Sequence, residues 1–241
     1  MTRLEDLQLG AEHALFLDFD GTLVEFGPDP DAIWLPEAMP AVLRALAGRQ
    51  DGAVAVISGR DLRDLARRVP AGLWRAGGHG LEIVAPGERP PPPPPPPGET
   101  TLAPLRRVAE RDGVRLELKG PVVALHYRAA PEAEADCLEA ARQAAAPEGL
   151  VVQAGKCVVE VKPAGAHKGR ALRRLSEIAA FRGRVPVMLG DDATDEDAIA
   201  EAQALGGIGV KIGAGETVAR YAAPDPAAVR DWLRREAARS A

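Results

Sequence analysis

The stretch Leu15-Phe16-Leu17-Asp18-Phe19-Asp20-Gly21-Thr22 sets two carboxylates two residues apart at the end of an apolar run. Ala14 to Leu17 has the length of a strand buried on both faces, and Gly21-Thr22 breaks it directly after the second acid. Side chains alternate along an extended chain, so Asp18 and Asp20 project to one side and Phe19 to the other. Two carboxylates left without a counterion repel each other and hold on to protons. A hard divalent cation with oxygen ligands relieves that repulsion, and Mg²⁺ is the natural choice. The same short motif, D-x-D-G-T, also describes a strand-to-loop junction capped by surface acids, so the reading depends on partners elsewhere in the chain.

Those partners lie in two blocks of alternating strand-like and helix-like segments. The first block runs Ala14 to Leu17, helix Glu37 to Ala47, strand Ala53 to Ile57 and helix Asp61 to Val69. The second opens at Lys168 with a helix to about Ala180, then strand Val185 to Leu189, helix Asp195 to Ala204 and strand Ile208 to Ile212. A final helix follows Asp225-Pro226, with Asp as the cap and Pro at the first helical position. This order predicts an α/β fold in which both blocks share one parallel sheet.

Between the blocks the pattern changes. Val114 to Leu118 and Val122 to Tyr127, joined by Lys119-Gly120-Pro121, read as an antiparallel pair, and Leu150 to Gln153 with Cys157 to Lys162, joined by Ala154-Gly155-Lys156, read as another. A helix over Pro131 to Ala145 backs them. The middle piece is therefore an inserted α+β domain over residues 98–163, with a core formed by 1–97 and 164–241. Its entry is marked by eight consecutive prolines, Pro90 to Pro97, which favour an extended polyproline II spacer; a tether explains them better than a ligand for an aromatic groove.

Strand ends in the core carry the rest of the chemistry. Ser58-Gly59-Arg60 follows a strand and precedes a helix, where backbone N–H groups attract phosphate and where Ser is equally common as a cap. Gly190-Asp191-Asp192-Ala193-Thr194-Asp195-Glu196-Asp197 follows another strand. Asp191 is the first choice for the cation, with Asp192 and Asp195 in support, and Thr194 with Asp197 reads as a capping box. Lys168 opens a helix, where it either neutralises a phosphoryl group or is simply solvated. Four such features in this order, three of them after apolar strands, converge where open α/β sheets bind ligands.

Composition narrows the partners. A formal net charge of −5 without long basic stripes argues against nucleic acid or an anionic membrane as partner, so an anionic substrate has to be met by locally placed cations. Two cysteines, Cys137 and Cys157, form neither a C-x-x-C pair nor a zinc pattern, which fits reduced thiols in a cytoplasmic protein. No signal core precedes His13 and no stretch reaches the roughly 20 apolar residues of a membrane span. We expect a monomer acting on a small molecule.

The four motifs, Asp18 to Thr22, Ser58, Lys168 and Gly190 to Asp195, resemble those of the haloacid dehalogenase (HAD) superfamily. More narrowly, Ser58-Gly59-Arg60, Gly78-His79-Gly80-Leu81-Glu82, His126-Tyr127-Arg128, Glu160-Val161-Lys162-Pro163 and Gly190 to Asp197 are similar to the trehalose-6-phosphate phosphatase family. That resemblance implies a HAD-like Rossmannoid core with a cap inserted between the second and third motifs, although the proline run departs from the usual short connection. It implies a two-step hydrolysis with Asp18 as nucleophile and Asp20 as acid and base. It also implies Mg²⁺ held by Asp18, the Asp20 carbonyl and Asp191, with Ser58 and Lys168 orienting the phosphoryl group and Thr22, Asp192 and Asp195 supporting.

In the insert, period two puts Lys156, Val158, Glu160 and Lys162 on one face, groups His126 with Arg128, and groups Arg115, Glu117 and Lys119. From the pattern alone this charged face is as well explained by solvent as by a ligand; the resemblance turns it toward sugar recognition. The substrate contacts so implied are Gly59, Arg60, His79, Glu82, Lys119, Arg128, Lys156, Glu160 and Lys162. Phosphates of sucrose, glucosylglycerol or mannosylglycerate, a non-catalytic phosphosugar-binding regulator and a phosphomutase are the competing readings.

Overall fold

The computed structural model describes residues 1–27 and 29–239. It divides into two compact units, Met1–Pro90 with His167–Ala241 and Pro91–Ala166. The first boundary falls at the opening of the proline run, whose residues form neither helix nor strand.

In chain order the first unit begins with β1 (Thr2–Arg3), β2 (His13–Leu17), α1 (Met39–Arg49), β3 (Val54–Ile57), α2 (Leu62–Arg68), β4 (Trp74–Gly77) and β5 (Glu82–Val84). The second unit holds α3 (Glu99–Ala109), β6 (Arg115–Lys119), β7 (Val122–His126), α4 (Glu134–Ala145), β8 (Val151–Gly155) and β9 (Val158–Lys162). The chain then returns to the first unit with α5 (Lys168–Ser176), β10 (Val185–Gly190), α6 (Ala193–Ala204), β11 (Ile208–Ile212), β12 (Tyr221–Ala223) and α7 (Pro226–Ala238). The first unit's eight strands form one sheet in the order β1-β12-β11-β10-β2-β3-β4-β5, parallel except for β4 with β5.

Alternation along the central strands explains the layers. Leu15, Leu17, Val54, Val56, Val187 and Leu189 face one side and pack with Leu43 and Leu46 of α1 and Val229 and Trp232 of α7. Phe16, Ala55, Ile57 and Met188 face the other and pack with Leu172 and Leu175 of α5 and Ile199 of α6. A strand covered on both faces has to be apolar at every position, which is why β2 and β3 read as continuous runs. β2 and β10 are neighbours in register, Leu17 opposite Leu189, so the acids that follow each strand emerge side by side.

Several boundaries move from the sequence expectation. The helix after β10 starts at Ala193, not Asp195, because Asp192 is extended (φ −110°, ψ 179°) and accepts hydrogen bonds from the backbone of Thr194 and Asp195. The capping box is thus Asp192 with Asp195 rather than Thr194 with Asp197. α5 ends at Ser176, short of Ala180. Strands β1, β4, β5 and β12 carry two to four residues each, too short for a periodicity to register. Helix α3 was not anticipated, since Pro104 lies inside it; Thr101, Leu102 and Leu105 nevertheless make a buried stripe at helical spacing.

The second unit is an antiparallel sheet in the order β6-β7-β9-β8. Val123, Leu125, Val159 and Val161 face α3 and α4 and pack with Leu102, Leu105, Cys137 and Ala141. The second hairpin turns at Lys156-Cys157, with Cys157 at φ +59°, and Ala154 and Gly155, expected in the turn, are paired in the strand instead.

Candidate active site

Asp18 follows β2 directly and is buried at 3% exposure, its amide held by the Leu189 carbonyl at 3.0 Å. Lys168, the first residue of α5, reaches it across 150 positions of sequence: Nζ donates to Asp18 Oδ1 at 2.7 Å and to Asp195 Oδ1 at 2.7 Å. Asp195 is fully buried, and its Oδ2 accepts from the amides of Asp191 (3.1 Å) and Asp192 (3.2 Å), so the loop after β10 is folded around that one carboxylate. Carboxylate oxygens of Asp18, Asp191 and Asp195 lie within 4.8 Å of one another.

This centre holds more buried acid than cation. Burial pushes the Asp18 carboxyl up to about 8, a rise that Lys168 opposes and Asp191 and Asp192 reinforce. Burial likewise raises Asp191 to about 7, with Asp195 and Asp192 adding to it. Asp195 is pushed well up by burial and by Asp18. Burial disfavours the charge on Lys168, but Asp18 and Asp195 outweigh it and raise its pKa well above the ordinary lysine value. One ammonium among these carboxylates leaves a deficit of positive charge. Asp18 Oδ2 is buried and accepts no hydrogen bond among the described residues, so a lone pair is ready on the oxygen that Lys168 leaves alone. A buried all-oxygen donor set with an orphaned lone pair fits a hard divalent cation. Asp18 and Asp191 were expected in this set; Asp195, expected only in support, joins them, while Asp192 is spent on capping α6.

Gly21 is required by this crowding. Its φ is +86°, and a Cβ there would stand 2.4 Å from the Asp191 carboxylate. Thr22 is buried with its hydroxyl unpaired among the described residues. Ser58, buried at the end of β3, accepts from the Arg60 amide at 3.1 Å, which leaves its own O–H to donate; the cap of α2 is Asp61 instead. Lys211, at the end of β11, donates to the Asp191 carbonyl. Sequence reading passed over Lys211, yet a lysine in an otherwise apolar strand, Ile208-Gly-Val-Lys-Ile212, is a visible signal.

Other expected contacts have different surroundings. Arg60 pairs with Asp20 and Asp64, and Glu82 is bound by Arg63, whose Nη1 reaches Oε1 at 2.8 Å. His79 sits at φ +56° with its ring over Gly59, where a Cβ would stand 2.7 Å from the imidazole; this explains that glycine without a ligand.

Within the second unit, Lys119 Nζ lies 3.0 Å from Glu160 Oε1, and His126 Nε2 lies 2.7 Å from Glu117 Oε2. Burial pushes Glu117 up, but His126, Lys119 and Arg115 outweigh it and hold its carboxyl below the ordinary value. Glu160 and Lys162 alternate with the buried Val159 and Val161, as period two requires, and both are themselves buried. Lys156 and Arg128 lie outside these strands. β9 starts at Val158 and β7 ends at His126, so both residues fall in turns, exposed, where alternation no longer applies.

Solved structures share the fold. A haloacid dehalogenase-like hydrolase from Bacteroides thetaiotaomicron superimposes with a TM-score of 0.64 over 93% of this chain and 99% of that one at 15% identity. A C. albicans trehalose-6-phosphate phosphatase C-terminal domain superimposes with a TM-score of 0.78 over 94% and 92% at 20% identity. The fold is that of HAD-like hydrolases. Sequence similarity is more specific: the family model described as Trehalose-phosphatase matches residues 16–227. The chain is also 39% identical over 245 residues to a trehalose-6-phosphate phosphatase of Escherichia coli (strain K12), covering 95% of this chain and 88% of that one. The chain belongs to the trehalose-phosphatase family of phosphoric monoester hydrolases.

Proposed function

We propose that this protein hydrolyses trehalose 6-phosphate to trehalose and inorganic phosphate, with Mg²⁺ as its cation. The observation that carries the reading is the convergence of Asp18, Lys168, Asp191 and Asp195 from three parts of the chain, in a protein 39% identical to a curated trehalose-6-phosphate phosphatase. Asp18, Asp191 and Asp195 would hold the cation, with the Asp20 carbonyl as a further ligand. When bound, it offsets the charge of the phosphoryl group and favours the ionised form of the Asp18 carboxyl.

In the first half-reaction an Asp18 oxygen forms a bond to phosphorus while the bond from phosphorus to the sugar oxygen breaks. The Asp20 carboxyl gives its proton to that departing oxygen. The product is an aspartyl-phosphate. In the second half-reaction Asp20, now a carboxylate, takes a proton from water as the water oxygen bonds to phosphorus and the bond to Asp18 breaks. Phosphate leaves and both acids are restored. Lys168 neutralises the nucleophile's surroundings, and the Ser58 hydroxyl donates toward a phosphoryl oxygen. The charged face of Glu117, Lys119, His126, Glu160 and Lys162 supplies donors and acceptors suited to sugar hydroxyls.

The test is phosphate release from a panel of sugar phosphates. Trehalose 6-phosphate should give the highest kcat/KM; a higher value for sucrose, glucosylglycerol or mannosylglycerate phosphate would overturn the choice of sugar while leaving the chemistry in place.

A further inference from the structure

Arg60 meets Asp20 edge to edge. Nε donates to Oδ2 at 2.7 Å and Nη2 to Oδ1 at 2.7 Å. A fork-on-fork pair of this kind fixes the plane of the carboxylate as well as its distance, which a lysine ammonium does not. Arg60 is itself held. Its Nη1 donates to Asp64 at 2.9 Å, Nη2 also donates to the Pro30 carbonyl at 3.1 Å, and the guanidinium stands 5.4 Å from the centre of the Phe19 ring. Asp64 is gripped in turn through both oxygens by Arg68, at 2.8 Å each. Burial raises the Asp64 carboxyl, but Arg68 and Arg60 outweigh it and hold it at about 2, so the anchor stays anionic.

A side chain whose Nε, Nη1 and Nη2 all have protein acceptors before any ligand arrives is poorly placed to clamp a substrate. We infer that Arg60 is a positioning residue that sets the direction in which Asp20 delivers and takes back its proton. The role rests on the acid/base assignment of Asp20 made above. Arg60 occupies one lone pair on each Asp20 oxygen, so a proton on Asp20 has to sit on a lone pair turned away from the guanidinium. That constraint leaves one lone pair on each Asp20 oxygen, in the plane the fork fixes, from which the proton reaches the departing sugar oxygen and to which a proton from water returns.

The discriminating experiment compares two esters of the same sugar, trehalose 6-phosphate and its 6-thio analogue with sulfur in place of the bridging oxygen. The departing thiolate needs no proton, while every other contact is shared. For Arg60→Gln, kcat/KM for the oxygen ester should fall about 100-fold, within the range of general acid catalysis, and for the sulfur ester should hardly change. Equal losses on both esters, or no loss on either, overturn the positioning role, because a substrate clamp or a scaffold defect acts on both alike. Asp20→Asn is the control for the underlying reading: it should show the same selectivity, and an equal loss there refutes the acid/base assignment itself. Selectivity in Asp20→Asn without it in Arg60→Gln refutes only the Arg60 role. Thermal unfolding checks that each variant folds. Arg60→Lys, which keeps the charge but loses the fork, and Asp64→Asn, which loosens Arg60 without touching Asp20, should show the same selectivity in weaker form.

Discussion

Lys168 brings one positive charge into a space shared with Asp18 and Asp195, so its removal leaves two buried carboxyls without their common partner. Breaking a buried ion pair from one side costs about 3–5 kcal/mol. Lys168→Met should therefore lower the urea midpoint by a corresponding amount as well as abolish turnover, whereas a solvated lysine would give no stability change. Asp18→Asn tests a different property of the same pair. The amide keeps the shape of the carboxyl but not its nucleophilicity, so phosphate release should fall below detection while the far-ultraviolet circular dichroism stays that of the parent. Retained turnover in a pure sample would remove Asp18 from the role of nucleophile.

Helix α6 illustrates how an element's end can shape the site. Asp192 accepts from the amides of Thr194 and Asp195, and Asp195, three residues into the motif, turns back to the amide of Asp192 and forward to Lys168. The cap and the centre are thus built from one turn. Asp192→Ala should cost about 1 kcal/mol, as loss of an N-cap does, and should also reduce turnover because the Asp195 turn loosens. Asp225, which caps α7 by accepting from the Ala228 amide at 2.8 Å, provides the comparison. Asp225→Ala should show a similar loss in denaturant midpoint with kcat unchanged. Equal activity in the two variants would uncouple the α6 cap from the site. These elements also mark what was legible in the chain. The Asp225-Pro226 start of α7 and strand β11 are written locally, by a cap followed by proline and by a bounded apolar run. The α6 start differs from the sequence expectation, because five Asp and Thr residues from Asp191 to Asp197 all qualify as caps, and only the backbone angle of Asp192 selects one. Lys156 leaves the alternation for a related reason: it lies in the turn before β9, where period two does not apply.

For the molecule as a whole, the surplus of buried acid makes stability depend on pH and on cation together. A carboxyl raised in the folded chain keeps a proton that the unfolded chain has released above its ordinary value of 3.8, so folded protein binds more protons and unfolding free energy falls as pH rises. Asp18 at about 8 and Asp191 at about 7 place that loss between about pH 4 and about pH 8. Groups shifted the other way, Asp64 and Asp192 among them, have completed their gain by about pH 5. The metal-free protein should accordingly melt at a lower temperature at pH 8 than at pH 5, and saturating Mg²⁺ should raise the melting temperature more at pH 8 than at pH 5. A metal-free profile that rises over that interval would mean that the centre is not acid-rich in the sense described.

The sequence alone determined where charge follows apolar runs, and therefore which residues lie at strand ends, because the period of an extended chain and the need to bury a strand on both faces are local constraints. It did not determine which acids meet. Asp195 rather than Asp192 shares Lys168 with Asp18, and Arg60 lies against Asp20 forty residues away, because sheet order and the placement of α5 and α6 bring those positions together. Such pairings are set by packing between segments far apart in the chain, and no spacing within any one of them encodes the meeting.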